Sequence, residues 1–241
     1  MSVSALRLEG VGKTYGRHRA LVDVTTTIPA GRVTTILGPN GAGKSTLLGV
    51  LSTMLGPSKG RVLWGDTPLD RGSPQRARIG YVGHEPGLYG ELGAWDNLLF
   101  FGKLHGIGDA GPRIEALLER VGLGHVRRDA PARTFSRGMQ QRLALARALL
   151  HEPDLLLFDE PSSALDPAGV AWLGAELAAE RKAGRIVVLV THDLDAAAEV
   201  ADHVLVIHRG RLVHDGPAPQ GTAGLVELYR DAAAVAAHKE T

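Results

Sequence analysis

Gly38-Pro39-Asn40-Gly41-Ala42-Gly43-Lys44-Ser45-Thr46 decides how the rest of this chain is read. The stretch fits the pattern G-x-x-x-x-G-K-[ST], which has a mechanism. Glycines let the backbone turn tightly, so that successive N–H groups face one point. A helix opening at that point adds the positive end of its dipole. The flanks suit the pattern. Residues 33–37 are a short apolar and Thr run, read as a buried strand, and residues 44–54 follow with helical character. The expected ligand is a nucleotide polyphosphate. Lys44 would neutralise its β- and γ-phosphates, and the Ser45 hydroxyl would serve Mg2+, which prefers oxygen ligands.

A second element of the same chemistry lies about 115 residues on. Residues 155–158 form an apolar strand that ends in Asp159-Glu160. In enzymes with such a phosphate loop, an acid at a strand end helps hold Mg2+. Asp159 takes that role. Glu160 is then placed to polarise a water for attack on the γ-phosphate.

Outward from these motifs the pattern is alternation. Strands are expected at residues 6–8, 22–28, 33–37, 61–64, 79–82, 155–158, 186–190 and 203–207. Turns are expected at Gly10-Val11-Gly12 and Pro29-Ala30-Gly31. A hairpin across Arg209-Gly210 leads to a strand at 211–214. Helices are expected at 95–105, 112–121 and 136–150, with Pro112 suited to a first helical position. The sum is an α/β fold with a mainly parallel sheet. We read one domain over residues 1–241, with a helical insertion at about 85–150 and a helical tail at about 222–241.

Composition excludes several classes. The chain has 241 residues, no cysteine, 44% hydrophobic and 22% charged residues, and a net charge of +1. Disulfides and cysteine-ligated zinc are impossible. Near-neutral charge argues against a nucleic-acid partner. No apolar run approaches the ~18–20 residues that cross a bilayer, and Met1-Ser2-Val3-Ser4 lacks a signal pattern, so a soluble, cytoplasmic protein is expected. His203, His208 and His214 lack metal-ligand spacing and read as surface or strand residues.

Further motifs resemble the ATP-binding subunits of ABC transporters over nearly the whole length. Phe135-Ser136-Arg137-Gly138-Met139-Gln140-Gln141-Arg142 is similar to the family signature L-S-G-G-Q-x-Q-R, departing at Phe135, Arg137 and Met139. Ser163-Ala164-Leu165-Asp166 resembles the loop that links the two ATP sites of a dimer, and Thr191-His192-Asp193 resembles the switch-histidine segment. The resemblance implies an ABC ATPase cassette of the phosphate-loop NTPase class, with an N-terminal antiparallel β subdomain. It implies ATP and Mg2+ as cofactors. Ser136, Gly138 and Asp166 would meet nucleotide from the partner subunit, His192 the γ-phosphate and attacking water, and Tyr15 the adenine ring. Where the family usually has a Gln that reaches Mg2+ and the membrane partner, this chain has His84, which can hydrogen-bond and titrate near neutral pH.

The implied partners are a second ATPase subunit, in a head-to-tail homodimer, and an integral membrane permease. That places the chain peripherally on the cytoplasmic face of the cell membrane. Residues 83–92 are similar to the haem-exporter ATPase subunits of cytochrome c maturation, where Gly-His commonly stands at 83–84. Ala168-Gly169-Val170-Ala171 adds to that likeness. The signature segment is also seen in drug- and sodium-export subunits, so a drug, ion or lipid exporter is the alternative. A soluble ABC-type ATPase acting on nucleic acid or the ribosome, or a regulator without turnover, are further readings. Trp95, Leu98, Leu99, Phe100 and Phe101 are either core of the insertion or a docking groove for a partner's helix.

Overall fold

A computed structural model describes residues 5–238. Its two sheets have different jobs. The first is antiparallel, in the order β2-β1-β4-β5, from β1 (Leu6–Tyr15), β2 (His18–Ile28), β4 (Lys59–Trp64) and β5 (Thr67–Pro68). The second has the order β10-β9-β3-β8-β7-β6. Its parallel strands are β3 (Arg32–Leu37), β6 (Ile79–Val82), β7 (Leu155–Asp159), β8 (Ile186–Val190) and β9 (His203–His208). β10 (Arg211–Pro217) pairs antiparallel at the edge, across the expected Arg209-Gly210 turn. Strands covered on both faces read as unbroken apolar runs, and every residue of β7 and β8 is buried.

Helix α1 (Lys44–Leu51) sits between the sheets and buries Leu47, Leu48, Val50 and Leu51 in their shared core. Between β6 and β7 come α2 (Ala94–Leu104), α3 (Gly111–Arg120) and α4 (Arg137–Leu149). They form a second core with the other face of the parallel sheet and with α5 (Pro167–Lys182). α6 (Leu194–Val200) and α7 (Gly221–His238) close a third cluster beside β9. The expected tail helix is thus present; residues 239–241 lie outside the described residues.

Several expectations need correcting. No turn forms at Gly10-Val11-Gly12. β1 runs straight through, and its pairing with β2 shifts register there, with Gly10 at φ +61°. A glycine inside a strand pattern marks a bulge as readily as a turn. The chain reverses at Gly16 instead, so β2 starts at His18 rather than at residue 22. α1 ends at Leu51, short of residue 54, because Thr53 turns left-handed at φ +61° and the Leu55 N–H donates back to the Gly49 carbonyl. Of the 95–101 cluster, Leu98 is fully buried, and Trp95, Leu99 and Phe101 pack on the same core, while Phe100 is exposed. His203 does more than occupy a strand. Its ring joins Asp215 at 2.8 Å and Thr34 at 3.3 Å, and Thr26 donates to Asp215 at 2.7 Å, linking the two sheets.

Candidate active site

The carboxyl ends of β3, β7 and β8 meet at one open cleft of about 670 Å3. Ligands in open α/β sheets bind at this edge. The segment 40–46 forms its floor, and His84, Asp159, Glu160 and His192 stand around it. Tyr15, nearly half exposed, stands at the rim. Motifs more than a hundred residues apart in sequence are therefore neighbours.

The loop geometry is set by backbone space. Gly43 precedes α1 at φ +109°, and a Cβ there would lie 2.4 Å from the Ala20 carbonyl oxygen. Gly38, at φ +153°, would press a Cβ to 2.2 Å from the Ile207 carbonyl oxygen. Both positions exclude any side chain. Lys44 curls back over the loop, donating to the Gly38 and Pro39 carbonyls at 2.7 and 3.1 Å. Burial pushes its ammonium below the usual lysine range, opposed by the charges of Glu160 and Asp159. The α1 N-terminus therefore offers N–H groups, a dipole and a cation at one point, which is a site for anions.

Asp159 is the buried last residue of β7. Burial raises its carboxyl above the ordinary range, while hydrogen bonding with Ser45 pulls the other way. A hydroxyl and a carboxylate converging beside a phosphate loop suit Mg2+. Among the described residues no group of three or more His, Cys, Asp or Glu could hold a metal alone, so a cation here would take its remaining oxygens from phosphate and water. Glu160 follows in the left-handed region at φ +53°. Its Oε2 accepts from the His192 backbone N–H at 3.3 Å and lies 2.9 Å from His192 Nδ1. That contact leaves Nε2 of His192 as the ring atom for a ligand.

Five expected nucleotide contacts do not line this cleft: Gly38 and Pro39, at the start of the phosphate loop, and Ser136, Gly138 and Asp166, farther along the chain. Ser136 caps α4, its Oγ accepting from the Met139 N–H at 3.2 Å. Gly138 lies in the first turn of α4. Asp166 caps α5 through the Gly169 N–H and pairs with Arg142 at 2.9 Å; these two contacts hold its carboxyl below the usual range.

The supporting residues escaped the motif reading. Arg147 of α4 donates to the Tyr81 and Gly87 carbonyls, on both sides of His84. Asn97, fully buried in α2, accepts from the Tyr89 N–H and donates to the carbonyls of Tyr89, Leu92 and Gly93. Only the polarity of Asn97 within an apolar stretch could have signalled this.

The sequence profile of the ABC transporter family matches residues 21–163, more than half of the chain. The chain belongs to the ABC transporter family. It is 39% identical over 223 residues to the daunorubicin resistance ATP-binding protein DrrA3 of Streptomyces coeruleorubidus, covering 91% of this chain and 70% of that one. A solved ATP-binding subunit of an ABC transporter superposes with a TM-score of 0.84 at 26% identity, covering 94% of this chain and all of the other. A dimeric ATP-binding cassette in a post-hydrolysis state, bound to ADP and Pi, superposes with a TM-score of 0.76 at 27% identity, covering 89% and 99%. The fold is thus that of an ABC ATPase cassette, and this ABC ATPase binds ATP with Mg2+ and hydrolyses it. ABC ATPase subunits work as dimers with a membrane permease. Among the described residues no helix is long and apolar enough to cross a membrane.

Proposed function

We propose that two copies of this chain clamp two ATP molecules head to tail and drive export through a separate permease. One observation carries this reading. Lys44, Asp159, Glu160 and His192 share a cleft, while Ser136, Gly138 and Asp166 stand apart from it. A complete site then needs the signature helix of the partner subunit.

In that arrangement Tyr15 stacks on adenine, and the N–H groups of 38–46 with Lys44 hold the phosphates. Ser45 and Asp159 hold Mg2+, which supplies charge neutralisation on the phosphate oxygens. His84 stands by the same phosphates. Glu160 accepts the proton of the attacking water, and His192 orients Glu160 and meets the γ-phosphate. Triphosphate bridges donors of both chains, and cleavage removes the bridge. The conformational work comes from this difference in affinity.

Support for the membrane partner comes from exposed apolar side chains, Tyr89 edge-on to Phe100 at 4.7 Å, and Met54 and Leu104 in a groove along β6. A permease segment seated there would hold the chain at the cytoplasmic face of the membrane. For the cargo, the daunorubicin-resistance relative favours drug export. Haem export rests on the likeness of residues 83–92 alone.

The test is Glu160→Gln, which keeps the shape of the side chain and removes the base. On gel filtration with ATP and Mg2+ it is expected to run as a dimer with turnover slowed at least a hundredfold. An unshifted monomer that retains ATP would sink the sandwich. Co-purification with a drug-type permease, against one of cytochrome c maturation, separates the cargo readings.

A further inference from the structure

We infer that Gln141 is a positioning residue for Glu160, and that it couples the signature helix of one ATP site to the catalytic carboxylate of the other. The inference rests on the two-site reading above.

Glu160 needs external support. A non-glycine residue in the left-handed region is strained, and such a conformation persists only where its surroundings over-determine it. On one side the Glu160 N–H donates to the Val190 carbonyl at 2.9 Å. On the other comes Pro161, which has no N–H to anchor it. The anchor is its carbonyl, which accepts from Gln141 Nε2 at 3.1 Å in a buried bond. Gln141 is only 5% exposed and lies on α4, about one turn beyond Ser136 and Gly138.

The rest of the 160–166 loop leans on the same helix. A Cβ on Gly138 would sit 3.0 Å from the Ala164 carbonyl oxygen, and Arg142 bonds Asp166 at 2.9 Å. α4 therefore touches this loop at its start, middle and end. When the N-terminus of α4 engages nucleotide held by the partner, any shift of the helix passes through Gln141 to the strained residue that holds the water in the chain's own cleft. The two sites share one rigid part. A bond that only filled the needs of a buried carbonyl would have no such consequence.

The test uses the full chain. Gln141→Met keeps the volume and removes the donor. Expected are a KM for ATP within twofold of the parent, retained ATP-dependent association and a kcat at least tenfold lower. Gln141→Glu keeps the shape but sets an oxygen against the carbonyl. Its deficit is expected to shrink as pH falls, because a protonated carboxyl can donate. In the Glu160→Gln background, adding Gln141→Met is expected to leave residual turnover within twofold. The inference is overturned if both single variants keep kcat within twofold, if KM rises in step with the loss, if the losses add in the double variant, or if neither variant folds. A parent chain that neither binds nor cleaves ATP would instead sink the two-site reading.

Discussion

Lys44 places a cation on the phosphate loop of the cleft. Its ammonium is partly desolvated and donates to two loop carbonyls. A charged hydrogen bond is worth about 1.5–3 kcal/mol. Lys44→Ala is therefore expected to weaken ATP binding by about 10–100-fold, measured by fluorescent-nucleotide titration. An unchanged Kd would remove Lys44 from the site. His84 differs. It is exposed at the cleft, and its charge acts on Asp159 only as a minor influence. His84→Gln restores the side chain usual in the family, and turnover is expected within tenfold of the parent, a change of less than about 1.4 kcal/mol in barrier. A larger loss in a phosphate-release assay would give the imidazole a role of its own.

At the scale of elements, the phosphate end of the site is built on α1, while its loops are held from behind by other helices. β3, β7 and β8 end at the cleft and supply its rigid edge, but His84 and Glu160 sit on loops. α2 and α4 fix those loops through Asn97, Arg147 and Gln141. Asn97→Ala leaves the Tyr89 N–H without its acceptor and takes one of two donors from the carbonyls of Tyr89, Leu92 and Gly93, which keep the backbone N–H groups of Leu92, Ala132 and Asn97. The expected cost is about 1–3 kcal/mol of folding stability, read from the urea midpoint at constant slope. A loss under about 0.5 kcal/mol, the range of ordinary surface changes, would show that the 85–93 loop holds itself.

The whole molecule has a built-in acid limit. His151 follows α4 and stacks on His105 with ring centroids 3.8 Å apart. Burial is the main cause that lowers its pKa from 6.5 to about 4, helped by the charges of His105, Arg147 and Arg185. The unfolded chain takes up this proton first, so stability is complete above pH 6.5 and falls as pH drops toward 4. A gap of that width is worth on the order of 3 kcal/mol. His151→Gln is expected to flatten the Tm profile between those limits relative to the parent. Parallel profiles would assign the acid limb to carboxylates.

Contiguous residues determined the local chemistry of this protein. The phosphate loop, the acidic end of β7, the Ser136 cap and the strand–helix alternation are each written within about ten residues of chain. Turn geometry, capping and periodicity act over that range. Tertiary structure alone decided the rest. It turned Gly10–Gly12 into a bulge, because β4 and β2 pair on both sides of β1. It gathered Lys44, Glu160 and His192 while leaving Ser136 and Asp166 outside. It assigned Gln141 and Arg147 their carbonyls, 20 residues away for Gln141 and up to 66 for Arg147. Such contacts arise from how packed layers meet, and a polar side chain satisfied across that distance leaves no period in the sequence to find.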